Sequence, residues 1–179
     1  MEIRKASRLG QWIKIYSLYR TAFPRSERKP FSMIRSMQKQ GKSDVWYFED
    51  QGKFLGLATT VNDKGGKVLL DYFAVTGSSR GKGYGGKMLQ LILKQYQGRG
   101  VFGEIEAVEE SAENYPERKR RKAFYLRNGL QELGIHVTLF GVDMELLSNG
   151  CDMTFQEYQE FYRQNIGEFA VKNVTERQV

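Results

Sequence analysis

The residue pattern with the clearest chemical meaning is a glycine-rich turn between an apolar strand and an amphipathic helix. Its residues are Arg80, Gly81, Lys82, Gly83, Tyr84, Gly85 and Gly86. Backbone amides at a helix start have no partner within the helix and lie at the positive end of its dipole, so they attract anions. A loose turn explains one or two glycines, but four among six residues weaken the helix start and need another reason. The pattern favours a ligand whose diphosphate approaches the glycine backbone closely.

Two familiar nucleotide-binding motifs can be compared with this turn. It has no Gly-Lys-Ser/Thr, which argues against a nucleoside-triphosphate P-loop. The spacing Gly81-x-Gly83-x-x-Gly86 does match the dinucleotide fingerprint, with Glu104 at about the expected distance. That fingerprint follows its strand closely and opens a mostly parallel fold. Here five loop residues and three predicted antiparallel strands come first, so the context argues against a dinucleotide.

Two carboxylates on a predicted strand, Glu104 and Glu106, form the second candidate site. They alternate along Phe102–Val108 and therefore share one face. If the strand is central, that face is closed to solvent and two carboxylates there need a role. They could remove a proton from an amine, through water, or bind a cationic substrate; the alternative is a salt-bridged face near the strand end. The sole histidine, His136, lies in an alternating strand, so neither a histidine triad nor a metal site is indicated.

The elements that must position these residues follow the order β-α-α-β-β-β-α-β-α-β-β-α. Lys67–Val75 is a nearly continuous apolar strand, which predicts burial on both faces. Phe102–Val108 is expected to pair with it in parallel, because the helix from Gly83 to Tyr96 crosses between them. The pattern predicts a mixed α/β fold: a mostly antiparallel central sheet with helices on both faces and a central β-α-β unit.

Length and composition predict one domain over residues 1–167, with a flexible tail at 168–179. An extra helix at 154–167 closes the domain: Thr154 caps it, and it carries Phe155, Tyr158, Phe161 and Tyr162. The N-terminus lacks the apolar core of a secretion signal, and no apolar run reaches the length of a membrane span. The lone Cys151 cannot form an internal disulfide. These features predict a cytoplasmic protein with no membrane partner. The aromatic last helix could form the contact of a homodimer.

The net charge of +7 has two functional interpretations, nucleic-acid binding and attraction of a polyphosphate ligand. The densest basic cluster, Arg118 to Lys122, is short and leads directly into an apolar segment. Nucleic acid is therefore less favoured than a nucleotide ligand.

The glycine turn and its strand resemble the GNAT-type acyl-CoA N-acyltransferase superfamily. The signature of that superfamily is Arg/Gln-x-x-Gly-x-Gly/Ala after a strand that ends in a small apolar pair. Arg80, Gly83 and Gly85 fill the three signature positions, and Ala74-Val75 ends the strand. The order of elements also fits, so the resemblance covers residues 1–147.

A second motif lies further along the chain. Residues 124–130 resemble the family's later helix, which usually reads Phe/Leu-Tyr-x-x-x-Gly-Phe, with Leu130 in place of the usual phenylalanine. Arg118 stands seven residues before Tyr125, where the family often has an asparagine. At that position the sequence departs from the family pattern.

The resemblance implies acetyl-CoA as co-substrate and assigns roles to particular residues. The amide of Val75 would polarise the thioester carbonyl, and Tyr125 occupies the position where the family often places a general acid for the departing thiolate. For Tyr125 the alternative is simple packing. The implied cofactor-binding residues are Phe73, Ala74, Val75, Arg80, Gly81, Lys82, Gly83, Tyr84, Gly85 and Gly86. The implied acceptor-binding residues are Glu27, Arg28 and Phe31 in a lip between the first two helices; the alternative is a charged linker that is only solvated. Asp71 and Tyr72 on the cofactor strand could line the acceptor cleft, and a structural acceptor is the alternative for Asp71.

The sequence therefore predicts an N-acetyltransferase that passes an acetyl group from acetyl-CoA to a primary amine of a small molecule or peptide by direct attack. A non-catalytic acyl-CoA-binding module is the first alternative, and Tyr125 with the paired glutamates argues against it. A basic nucleic-acid-binding protein is the second, and it predicts a steep loss of binding with salt.

Overall fold

The computed structural model describes residues 1–178 and has the predicted mixed α/β class, with mostly antiparallel strands flanked by helices. The strands are β1 (Glu2–Lys5), β2 (Ser43–Asp50), β3 (Lys53–Asn62), β4 (Lys67–Val75), β5 (Gly100–Glu106), β6 (Gln131–Leu139), β7 (Val142–Asn149) and β8 (Val174–Glu176). The helices are α1 (Leu9–Ala22), α2 (Phe31–Lys39), α3 (Tyr84–Gln95), α4 (Tyr115–Arg127), α5 (Phe155–Asn165) and α6 (Glu168–Val171). In residues 1–178 no helix is both long enough and apolar enough to cross a bilayer.

Contacts within the chain group into two compact units. The first unit contains residues 1–62 and 70–95, and the second contains residues 63–69 and the chain from 96 onward. Strand β4 therefore begins in the second unit and ends in the first. A single domain over residues 1–167 stays a prediction.

The first unit is built on an antiparallel hairpin with two helices packed against it. Strands β2 and β3 are joined by the two-residue turn Gln51-Gly52, whose φ angles are both positive (48° and 75°), as a tight hairpin turn requires. Strand β1 pairs antiparallel with the far side of β2. The helices α1 and α2 contribute apolar side chains to one buried cluster with the strands: Ala6, Ile15, Tyr19, Ile34, Val45, Tyr47, Leu57, Tyr72 and Ala74.

A glycine on β3 sets how closely α3 packs in this unit. A Cβ atom at Gly56 would lie 2.3 Å from the Ala74 carbonyl oxygen and 2.6 Å from the Met88 Cε atom. Met88 is fully buried on α3, together with Leu89 and Ile92. The missing side chain at Gly56 therefore lets α3 lie close to the strands, which fixes the position of the glycine turn at its start.

The second unit orders its strands β5, β7, β6 and β8, and every pair in that series is antiparallel. The hairpin β6–β7 turns at Phe140 and Gly141, with φ angles of 49° and 79°. The sequence predicts a flexible tail at 168–179, whereas in the structure residues 168–176 contain α6 and β8. The amide of Phe140 donates to the Asn173 carbonyl at 2.9 Å, and β8 adds an edge strand, so backbone hydrogen bonds order this segment.

Helix α5 begins at the predicted cap. The Thr154 hydroxyl accepts from the Glu157 amide, and the Glu157 carboxylate accepts from the Thr154 amide, which forms a capping box. The aromatic residues Tyr158, Phe161 and Tyr162 are buried, and the rings of Tyr158 and Phe161 meet Phe102 edge-on. Because this face is covered within the chain, it gives no support to the homodimer contact expected from the sequence.

An ion pair between α4 and β7 provides a stability prediction for the second unit. The Lys122 ammonium lies 2.6 Å from the buried Glu145 carboxylate and 2.9 Å from the exposed Glu132. Lys122→Met leaves a buried carboxylate without its cation, which typically costs about 3 kcal/mol. We expect the free energy of unfolding in a urea titration to fall by about that amount. Lys119→Met, on the same helix but exposed, should change it by less than about 0.5 kcal/mol. Equal effects of the two substitutions would contradict the burial argument.

Candidate functional site

The glycine turn of the first unit begins where β4 ends. The Thr76 amide donates to the Leu55 carbonyl at 2.8 Å, one residue beyond the last residue of β4. The Thr76 hydroxyl then donates to the Ser79 hydroxyl at 2.9 Å, and the Ser79 amide donates to the Thr76 carbonyl, which closes a short turn over Gly77–Ser79. These contacts anchor the base of the loop, and the residues that follow are exposed up to Gly83.

The backbone of this turn fits a diphosphate-bearing ligand. Gly81 and Gly83 have φ angles of 72° and 76°, which side-chain-bearing residues adopt at a cost. A Cβ atom at either position would meet nothing within 4 Å, so protein packing does not require these glycines. The space beside the backbone is open, and the first amides of α3 have no partner within the helix. Gly85 and Gly86 lie in the first turn of α3, at the positive end of its dipole.

Two cations flank the glycines. The Arg80 Nε atom donates to the Val75 carbonyl at 3.3 Å, and the Lys82 ammonium donates to the Ser78 carbonyl at 2.8 Å. Both side chains are exposed and bound only to neutral carbonyl groups in these contacts. They can therefore turn toward a phosphate, which is a stronger acceptor than a carbonyl group.

The Tyr72 phenol of β4 forms hydrogen bonds to the backbone of the predicted acceptor lip. The Tyr72 hydroxyl donates to the Glu27 carbonyl at 2.7 Å and accepts from the Lys29 amide at 3.0 Å. The Tyr19 hydroxyl donates to the Lys29 carbonyl at 3.0 Å. Burial, with the charge of Asp71, raises the pKa of Tyr72 far above its usual value, so the phenol stays protonated as a donor. The structure thus brings Glu27 and Tyr72 together through backbone groups of the lip.

Sequence reasoning missed Lys29, which holds the same lip by its side chain. Its ammonium lies 2.7 Å from Asp71 Oδ1 and 5.8 Å from the centre of the Tyr72 ring. Phe31 packs its ring against Trp12, Tyr16 and Tyr19 at centroid distances of 4.9–5.9 Å. Arg28 makes only a long contact of 3.5 Å to the Arg20 carbonyl. A lysine in a charged linker carries no sequence signal that separates it from its solvated neighbours.

In the second unit, Glu106 is bound by two arginines of α4. Its carboxylate lies 3.0 Å from Arg118 and 2.7 Å from Arg121, and Asn114 donates to it at 3.3 Å. Burial alone would raise the pKa of Glu106, but the hydrogen bonds from Arg121 and Asn114 and the two positive charges outweigh burial and hold the pKa below its usual range. Arg118, at the position where an asparagine was expected, also donates to the Ala107 carbonyl at 2.9 Å.

Glu104 lies two residues earlier on β5 and has different partners. Its Oε1 atom accepts hydrogen bonds from both the Tyr158 and Tyr162 hydroxyls of α5, each at 2.6 Å. Sequence analysis placed these tyrosines on an apolar helix face and did not connect them to Glu104. Their i, i+4 spacing puts two phenols on one face, which was the available signal. The two glutamates therefore share a strand face but are bound to different helices.

Tyr125 lies near the end of α4, one turn after Arg121. Burial raises the pKa of its phenol to about 12, although the nearby charge of Arg121 acts in the opposite direction. At neutral pH the side chain is therefore a proton-bearing hydrogen-bond donor. The Phe124 ring lies 5.2 Å from the Tyr125 ring and meets it at a steep angle of 69°.

The chain is similar to known proteins both in sequence and in structure. Residues 12–129 match the model of the acetyltransferase (GNAT) family. A GNAT-family protein from Bacteroides thetaiotaomicron has a similar structure at 18% identity, with 92% of this chain and 95% of that chain covered and a TM-score of 0.77. An aminoglycoside 6′-N-acetyltransferase complexed with coenzyme A is similar at 15% identity, with 83% and 96% covered and a TM-score of 0.65.

A third similar structure is the ribosomal-protein-S18-alanine N-acetyltransferase from Escherichia coli, at 17% identity, with 86% and 95% covered and a TM-score of 0.62. No curated protein sequence matches the chain. At these identities the structural likeness shows the fold alone, whereas the family model matches well over half of the chain. On that match, the chain belongs to the GNAT acetyltransferase family.

Proposed function

We propose that this protein transfers an acetyl group from acetyl-CoA to a primary amine of a small molecule or peptide. Membership of the GNAT family makes the protein an acetyl-CoA-dependent N-acyltransferase. The proposal concerns the class of acceptor. The observation that carries the proposal is the glycine turn, with open space beside Gly81 and Gly83 and two exposed cations next to it. That arrangement suits the negative charge of the diphosphate of CoA.

In the proposed mechanism a neutral amine attacks the thioester carbonyl carbon of acetyl-CoA. The carbonyl oxygen becomes negative, and the amide of Val75 is assigned to stabilise it. The C–S bond then breaks, the thiolate leaves with the bonding electron pair, and the amine nitrogen loses a proton. Tyr125 is assigned to donate a hydrogen bond to the departing sulfur, a role that its high pKa supports because the phenol stays protonated.

Glu104 and Glu106 are the proposed acceptors of the proton that the amine loses. The low pKa of Glu106 makes it a weak base, since its two arginines stabilise the ionised form. Glu104 already accepts hydrogen bonds from two phenols. Transfer through water, rather than lasting protonation of either glutamate, agrees best with these contacts.

The lip on β4 is the proposed acceptor-binding region, formed by Glu27, Arg28, Phe31, Asp71 and Tyr72. Lys29 belongs with them because it neutralises Asp71. The Asp71 carboxylate is therefore already paired with the Lys29 ammonium when the amine of an acceptor approaches it. A bound acceptor either displaces Lys29 or uses the carbonyl and aromatic groups around it.

The proposed function predicts both cofactor-dependent stability and amine-dependent release of CoA. A ligand at a hundred times its dissociation constant stabilises the folded state by about 2.7 kcal/mol, which corresponds to a melting-temperature rise of several degrees for a chain of this length. We expect that shift with CoA and no shift with adenosine. CoA release, corrected for hydrolysis, should rise with at least one amine from a panel of polyamines, amino acids, aminoglycosides and peptides.

Two outcomes of this experiment contradict the proposal. Stabilisation by CoA without release by any amine favours the non-catalytic binding module. No thermal shift, together with salt-sensitive binding of nucleic acid, favours the basic nucleic-acid-binding protein.

A further inference from the structure

The net positive charge of the protein comes from its first 43 residues. That segment contains 11 Lys and Arg residues against two Asp and Glu residues, a net charge of +9. The remaining 136 residues contain 17 basic and 19 acidic residues, a net charge of −2. The net charge of +7 is therefore a local property of the part of the chain that contains β1, α1 and α2.

Most of these cations have no carboxylate partner. Arg4, Lys5 and Lys29 form ion pairs. Seven others are exposed and are not paired with a carboxylate in the part of the chain that the structure describes: Arg8, Lys14, Arg20, Arg25, Arg35, Lys39 and Lys42. Unpaired cations at this density repel one another unless an anionic partner is present.

An exposed apolar ridge on α1 lies among these cations. Leu9, Ile13 and Tyr16 are spaced by four and three residues, so they share one helix face, and they are 76%, 61% and 43% exposed. The guanidinium of Arg20 lies 5.7 Å from the Tyr16 ring centre, at one end of the ridge. A contiguous exposed apolar patch bordered by polar residues marks a site of contact with a protein or a membrane.

Helix α2 continues the same surface. The Phe31 ring contacts Tyr16 at 4.9 Å and Trp12 at 5.9 Å, and the Arg35 guanidinium lies 5.2 Å from the Trp12 ring. Arg35 therefore lies beside the ridge of α1, and Lys39, four residues further along α2, shares its helix face. We call the ridge of Leu9, Ile13 and Tyr16, together with Arg20, Arg35 and Lys39, the N-terminal basic face.

We propose that the N-terminal basic face docks on a lipid bilayer with anionic headgroups, with Leu9, Ile13 and Tyr16 inserted at the level where headgroups meet acyl chains. Each cation then lies near a lipid phosphate, and the apolar ridge leaves water. The sequence alone predicted no membrane partner, because no apolar run reaches the length of a membrane span. The ridge is recognisable only when the exposed side of α1 is known.

Charge and shape favour a bilayer over three other occupants. A nucleic acid would neutralise the cations but offers little to exposed leucine and isoleucine side chains. An acidic peptide would bind more readily in a groove, whereas the ridge residues project from an exposed helix. A second copy of the same face would bring two segments of net charge +9 together. An anionic bilayer satisfies both the charges and the apolar ridge.

The test is co-sedimentation of the full-length protein with vesicles of phosphatidylcholine alone or with about 30% phosphatidylglycerol. We expect at least about tenfold stronger binding to the anionic vesicles, lost when salt rises from 0.1 to 0.5 M. Leu9→Asn with Ile13→Asn should weaken binding at least about tenfold. Phe140→Ser with Phe169→Ser, which removes two exposed aromatics of the second unit, should leave binding unchanged.

A charge-matched pair of variants separates local from global charge. Arg20→Gln, Arg35→Gln and Lys39→Gln together should abolish vesicle binding, whereas Lys119→Gln, Arg120→Gln and Arg127→Gln together, with the same net charge, should preserve it. The fluorescence emission of Trp12, isolated by Trp46→Phe, should shift to shorter wavelength on anionic vesicles as its surroundings lose water.

The proposal is overturned by equal binding to both vesicle types, by equal effects of the two charge variants, or by loss of dimerisation in the Leu9/Ile13 variant without loss of vesicle binding. Binding of single-stranded nucleic acid that depends on the α1–α2 cations but not on Leu9 and Ile13 would also overturn it. Acetyl transfer to a soluble amine is measured without vesicles, so none of these outcomes tests the proposed function. Failure of the docking surface is therefore distinguishable from failure of the proposed function.

Discussion

Gly85→Val is expected to weaken acetyl-CoA binding at least about a hundredfold while the protein remains folded. Gly85 is the second residue of α3 and fills the last signature position of the glycine turn. If the diphosphate lies against the first amides of α3, a branched side chain there overlaps it. An overlap that costs about 3 kcal/mol corresponds to about a hundredfold in the dissociation constant.

Gly85 is a better position for this experiment than Gly83. Gly83 has a φ angle of 76°, so any side chain there strains the backbone and changes the loop before a ligand is considered. Gly85 lies within a helix, where valine is tolerated at least as well as glycine. A binding defect at Gly85 is therefore attributable to the side chain rather than to a rearranged loop.

A matched control is available on another helix. Gly10 is the second residue of α1, is exposed, and a Cβ atom there would meet nothing within 4 Å. Gly10→Val should leave the dissociation constant for acetyl-CoA, measured by calorimetry, within about twofold of the parent. Normal binding by the Gly85 variant, or an equal defect in both variants, would remove the glycine turn as the binding site.

The parts of this molecule that were predictable from sequence are those set by local pattern. The apolar run Lys67–Val75 gave the bounds of β4, and the glycines with the following apolar stripe gave the start of α3 to within one residue. Thr154 marked the cap of α5 because capping chemistry operates over three residues. In each case the physical cause lies within a short stretch of chain.

The parts that were missed depend on contacts between distant residues. Lys29 meets Asp71 across 42 positions, and Tyr158 and Tyr162 meet Glu104 across more than 50. No pattern in the neighbourhood of Glu104 distinguishes a carboxylate held by two phenols from a solvated one. The pairing of β8 with β6 was missed for a similar reason, since a three-residue edge strand has too little pattern to separate it from a loose tail.

The same limit applied to the two glutamates. Alternation along β5 correctly placed Glu104 and Glu106 on one face, but the direction of the Glu106 pKa depends on Arg118 and Arg121. Those arginines belong to the densest basic cluster of the chain, Arg118 to Lys122. Two of its five residues are used to bind Glu106, and Lys122 is used to bind Glu145. The cluster is therefore largely occupied by contacts within the chain.

Tyr125→Phe is expected to lower the rate of acetyl transfer about a hundredfold, with little change in the dissociation constant for acetyl-CoA. The substitution keeps the ring and its contact with Phe124 and removes only the hydroxyl.

The pKa of about 12 limits the chemistry that the Tyr125 hydroxyl can perform. A thiol has a pKa of about 8.5, so complete proton transfer from the phenol to the thiolate is unfavourable. We therefore expect the phenol to act as a hydrogen-bond donor to the developing negative charge, and loss of one such donor typically lowers the rate by a factor of about 100 or more.

The pH dependence of the transfer rate separates this role from general acid catalysis by a group of ordinary pKa. Because the phenol loses its proton only near pH 12, the parent enzyme should show no alkaline decline from Tyr125 below about pH 11. The rate should be measured in single-turnover experiments with a confirmed acceptor, so that slow product release cannot hide the chemical step. Phe124→Leu serves as the packing control, since it alters the neighbouring ring and keeps the hydroxyl. If the chemical step of Tyr125→Phe stays within about twofold of the parent, or if Phe124→Leu has an equal effect, Tyr125 contributes packing alone and the thiolate leaves without help from the protein.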